Sequence, residues 1–108
     1  MAHFLVQVAY TPEAWAAQVK NPQDRLAALK PAFKKLGGRV ESGYFSFGDY
    51  DLVTIVQMPS NVEAAAFAVA AAAGGAVKAL RTTPLLTIAE GLDAMKKAAT
   101  AGYTPPKG

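Results

Sequence analysis

Residues 39–58, RVESGYFSFGDYDLVTIVQM, decide the fold. Arg39 to Phe47 reads as a strand. Gly48-Asp49-Tyr50-Asp51 is a turn, and Leu52 to Met58 returns as the second arm of a hairpin, stopped by Pro59. A helical stripe precedes the hairpin. Leu26, Leu29, Phe33 and Leu36 recur at spacings of three and four. Asn21-Pro22, with Asp24 in the first turn, starts that helix, and Gly37-Gly38 ends it. Pro31 falls inside it and is expected to kink or loosen it. A shorter helix, opened by Thr11-Pro12, is expected to run to about Lys20.

The outer segments complete the pattern. His3 to Tyr10, HFLVQVAY, is β-branched and aromatic and reads as the opening strand. After the hairpin, Ser60 and Glu63 have the spacing of a capping box ahead of an alanine-rich helix closed by Gly74-Gly75. Val77 to Ile88 is the fourth strand, with Pro84 marking an edge or a bulge. Glu90 to Ala99 is a last helix carrying Leu92 and Met95. The order β-α-β-β-α-β, then α, is the split βαβ arrangement: an α+β, ferredoxin-like domain with a four-stranded antiparallel sheet and helices on one face. Residues 1–101 form this single domain, and residues 102–108, rich in proline and glycine, are expected to be a disordered tail.

A chain of 108 residues has room for one domain, and with 52% hydrophobic residues it can fill a core without staples. Cysteine is absent, which removes disulfides, thiolate metal sites and thiol nucleophiles. The N-terminus enters a strand directly, without the basic and apolar regions of a signal peptide, so the expected setting is cytoplasmic. No apolar run is long enough to cross a bilayer. The net charge of +3 is mild, and the lysines are scattered along helices, so neither nucleic acid nor membrane is expected as a partner.

Helices on one face of a sheet leave the other face needing water or a cover, and a solvated face should be polar at alternate positions. These strands do not alternate cleanly. With Phe4, Val6, Val8 and Tyr10 pointing one way, His3, Leu5 and Gln7 point the other. In the third strand, Val53 and Ile55 oppose Leu52, Thr54, Val56 and Met58. The second face is therefore expected to carry Leu5, Leu52, Val56 and Met58 beside His3, Gln7 and Thr54, and to be covered by a second copy of the chain. The alternative is that the C-terminal helix folds back over it.

Several polar residues are candidate ligand contacts. Asp49 and Asp51 flank Tyr50 and could form a carboxylate pair, or could simply bond the backbone of their own turn. They are too few to hold a metal alone. His3 is the only histidine and lies on the second face. Arg25 follows a helix restart; Arg81, inside a strand, could grip a carboxylate or phosphate bidentately, or pair internally with Asp49 or Asp51. Tyr44 could orient a ligand or bridge two sheets. No nucleophile elbow or phosphate-cradling glycine loop accompanies them.

Gly43 to Asp51 resembles the GYD-domain family of small bacterial proteins, whose G-Y-D element is seen here as Gly48-Asp49-Tyr50-Asp51. The resemblance continues in the opening strand ending Tyr10-Thr11, in Asn21, Pro22 and Arg25, in Lys35-Leu36-Gly37-Gly38, and in Arg81-Thr82-Thr83. The alanine-rich helix and Pro31 depart from it. It implies a dimeric α/β-barrel assembly, in which two ferredoxin-like sheets pack face to face. In the wider superfamily a histidine such as His3 can be an acid–base group or a haem ligand, but no cofactor is assigned here. Two functions follow. One is a non-catalytic, homo-oligomeric small-molecule-binding or assembly module, a dimer or a multiple of dimers. The other is a small cofactor-independent enzyme, of isomerase or monooxygenase type, acting on an apolar or aromatic compound in a cavity beside the sheet. RNA binding shares this strand order, but the aromatic run of an RNA-recognition motif is missing.

Overall fold

The computed structural model describes residues 1–107; Gly108, the end of the tail expected to be disordered, lies outside the described residues. The elements run β1 (Ala2–Tyr10), α1 (Pro12–Lys20), α2 (Arg25–Lys35), β2 (Arg39–Phe45), β3 (Leu52–Met58), α3 (Asn61–Ala73), β4 (Val77–Leu85) and α4 (Ile88–Ala98). The sheet is antiparallel, with order β2-β3-β1-β4. This is the ferredoxin-like α+β arrangement. β4 is an edge strand, where the missing N–H of Pro84 is tolerated.

Short-range chemistry sets the helix ends. Thr11 and Asp24 cap α1 and α2, accepting from the backbone N–H of Ala14 and Ala27. α2 closes in a Schellman motif: Gly37 takes φ +82°, Gly37 N–H donates to the Lys34 carbonyl, and Gly38 N–H donates to that of Phe33. Pro31 does not break α2. It lies on the exposed side, so the Ala27 carbonyl it leaves without a helical donor can bond water. α4 starts two residues earlier than its sequence suggests, at a reciprocal capping box. Thr87 Oγ1 accepts from Glu90 N–H, and Glu90 Oε1 accepts from Thr87 N–H at 2.8 Å.

The core lies between the sheet and helices α2 and α3. Phe4, Val6, Val8 and Tyr10 of β1 form its central row. Phe33 of α2 stacks on Phe67 of α3, with ring centroids 4.2 Å apart, a contact worth roughly 0.5–1.5 kcal/mol beyond the area it buries.

The pairing register corrects the faces assigned to β3. Phe4 lies opposite Val56, Val6 opposite Thr54 and Val8 opposite Leu52. Directly paired residues share a face, so Leu52, Thr54, Val56 and Met58 enter the core; Val56 and Met58 are 0% exposed. None of the four can meet a second copy. Buried Thr54 is satisfied by donating its hydroxyl to the Val6 carbonyl at 3.2 Å. Val53, Ile55 and Gln57 take the open face instead, beside His3, Leu5 and Gln7. β2 is also shifted. A bulge at Glu41 puts Val40 opposite Val56 and Ser42 opposite Ile55, hence on opposite faces.

The hairpin is tied to the rest of the chain by Asp51. Its Oδ2 accepts from Tyr10 N–H at 2.8 Å and from Trp15 Nε1–H at 3.2 Å, and its own N–H donates to the Val8 carbonyl. Trp15 meets Tyr10 edge-on.

Two outcomes follow from these anchors. Asp51→Ala strands the part-buried Tyr10 N–H, leaves the exposed Trp15 N–H to water, and should cost about 1–3 kcal/mol in urea unfolding followed by Trp15 fluorescence. Asp51→Asn, which keeps an acceptor, should lose less, and an unchanged midpoint for Asp51→Ala would refute the anchor. The Glu90 carboxyl is held below its ordinary value by the Thr87 backbone and hydroxyl hydrogen bonds. A depressed carboxyl stabilises above its unfolded value, near 4.5, and that stabilisation is lost as pH falls through the lower folded value. Amide protection at the start of α4, measured relative to the intrinsic exchange of an unfolded chain at the same pH, should therefore fall on acidification through that window, and Glu90→Gln should abolish the dependence.

Candidate functional site

The polar residues expected to bind a ligand do not converge on one place. Asp51 is spent on the β1–α1 corner, and Asp49 stands exposed in the turn beside it. Neither arginine pairs with them. The charged contacts among the described residues are the Lys97–Asp93 ion pair and the His3–Glu41 contact, a charge pair only with a protonated imidazole. His3, Tyr44 and Arg81 belong to the open face, whereas Arg25 is on the helix side of the sheet. Among the described residues no cluster of three His, Cys, Asp or Glu is placed to hold a metal ion.

Two regions remain. The first is the open sheet face. Its register places Leu5 opposite Ile55 and Gln7 opposite Val53, an apolar centre of half-buried side chains. Around it lie His3, Gln57, Thr83 and the exposed Tyr44 and Arg81. His3 Nε2 approaches Glu41 Oε1 at 3.3 Å, and Gln57 Nε2–H donates to the same oxygen. Glu41 reaches this corner because of the β2 bulge, which no residue pattern announced. α4 does not fold back over the face to bury its own stripe: Ile88, Leu92 and Met95 are 83%, 52% and 69% exposed.

The second region is a cleft of about 520 Å³ between α2 and α3. Leu29, Ala32 and Leu36 form one wall, and Ala66, Ala70 and Ala71 the other. Val8 and Tyr10 reach it from the sheet, and Arg25 and Lys35 border it at the two ends of α2. Of the residues named beforehand, only Arg25 belongs to it. The sequence signal was the run of alanines in α3, which leaves space wherever something else holds the helices apart. A shallower depression of about 550 Å³ lies at the β2 edge, between Leu26 and Tyr44. Among the described residues no helix is long and apolar enough to cross a membrane.

Comparison with known proteins agrees with this architecture. A chain described as the crystal structure of FFRP-DM1 superposes with a TM-score of 0.54 at 15% identity, over 80% of this chain and 100% of that one. At that identity the likeness is one of fold. No curated protein matches the chain significantly. The family model of the GYD domain matches residues 4–95, and the chain belongs to the GYD-domain family.

Proposed function

We propose that this protein is a homodimeric small-molecule-binding module, in which the open sheet faces of two copies pack together. The observation that carries this reading is the apolar centre of that face, Leu5, Val53 and Ile55, set within polar residues. An apolar core with a polar rim is the anatomy of a protein interface. The exposed stripe of α4 points the same way, because an isolated helix of 11 residues is marginal in water and gains stability from packing. A dimer that uses one face of each copy is closed and symmetric, and multiples of it can form through other surfaces. The absence of cysteine fits a cytoplasmic setting.

The enzyme alternative has one specific observation behind it, the His3–Glu41 pair. A carboxylate beside an imidazole can orient it as a general base. Facing a second sheet, it would act on an apolar or aromatic compound held between the two copies.

Light scattering after size exclusion should give a dimer at micromolar concentration. Ile55→Glu should give a folded monomer, since it places a charge at the centre of the interface while leaving the core intact. Val56→Glu, one residue along, should unfold the chain by circular dichroism. A monomeric wild type, or a dimer untouched by Ile55→Glu, would contradict the proposal.

A further inference from the structure

We infer that the cleft between α2 and α3 binds a carboxylic acid with an apolar body, the carboxylate on Arg25 and the body along the alanine wall of α3. The inference deepens the binding half of the function proposed above and does not depend on the dimer.

The cleft exists because two features of the sequence oppose each other. Small side chains usually let helices approach closely, since interaxial distance follows the residues at the contact. Ala66 and Ala70 of α3, with its C-cap Gly74, form such a row. The Phe33–Phe67 stack, however, places two aromatic rings between the helices at 4.2 Å. The rings act as a spacer, and the alanines beside them fill none of the gap. The resulting volume of about 520 Å³ falls within the range of small-molecule pockets, and its walls are apolar as theirs are.

Charge then selects the ligand class. Two cations, Arg25 and Lys35, border the cleft, and among the described residues no acidic side chain lines it. Arg25 is half-buried and meets only the Gln23 side-chain oxygen, at 3.5 Å, so its fork of donors has no carboxylate partner among the described residues. A planar guanidinium matches a carboxylate bidentately. A phosphate dianion would call for more donors than this one group; among the described residues no glycine cradle stands beside it, and at the start of α2, which Arg25 opens, the Asp24 carboxylate already caps the helix by accepting from the Ala27 N–H. Arg25 and Lys35 lie about 15 Å apart along the α2 axis, with Leu29 and Ala32 between them. An extended acyl chain or an aryl acid therefore has an apolar track leading away from the arginine.

Decanoate and its neutral analogue decanol, both below micellar concentration, separate the contributions in titration calorimetry. Decanoate should bind the wild type, with Arg25→Met about ten- to a hundredfold weaker, while decanol binds both proteins alike. Ala70→Trp, at an exposed position on the cleft wall, should abolish binding of both ligands, with helix content checked by circular dichroism. No decanoate binding to the wild type, or equal binding to Arg25→Met, overturns the inference. Ile55→Glu should bind decanoate normally. A wild-type dimer that ignores decanoate fails this inference alone, and a wild-type monomer that binds it fails the dimer alone.

Discussion

Strand β1 pairs with β3 on one edge and β4 on the other, and this double pairing fixes which row of each neighbour is buried. Because Phe4, Val6, Val8 and Tyr10 lie under the helices, Val56, Thr54 and Leu52 must follow them inward on one side. Leu80 follows on the other, opposite Val8. A one-residue slip would turn every side chain of a strand over. The same register therefore leaves Leu5, Val53 and Ile55 on the outside, on the face proposed to pack against a second copy. Asp51 ties the hairpin to the end of β1, so the row, the turn and the start of α1 are held together.

On the helix side, the packing is uneven by construction. One aromatic stack, Phe33 on Phe67, joins α2 to α3, and alanines line the α3 side beside it. The outcome is a firm point at Phe33 and Phe67 with an apolar cleft beside it, bordered by cations that have no acidic partner there among the described residues. The two proposed roles thus occupy opposite faces of one sheet. Assembly uses the face that β1 leaves open, and binding uses the space its helices leave unfilled. Neither draws on the other's residues.

Much of the fold was legible because local chemistry wrote it. The turn at residues 48–51, the Thr11 cap and the Gly37-Gly38 stop each act over a few residues, and β3 occupies the span its composition marked. The faces of β3 were not legible. Both of its rows are apolar, Leu52, Val56 and Met58 against Val53 and Ile55, so alternation shows two rows without saying which is inside. Only pairing with β1 decides, and pairing is a long-range fact. The remaining differences have the same origin. The bulge that brings Glu41 to His3, the Asp51 bonds to Tyr10 and Trp15, and the stack that opens the cleft all join segments distant in sequence. Pro31 is the local exception: its effect depends on whether it faces core or water, and it faces water.

The central claim is that a second copy covers the open face. Isotope-filtered nuclear Overhauser spectroscopy on a mixture of labelled and unlabelled chains tests it most directly. The account predicts intermolecular contacts from the methyl groups of Leu5, Val53 and Ile55, and none from Val56. Intermolecular contacts confined to other surfaces, or none at all, would contradict it.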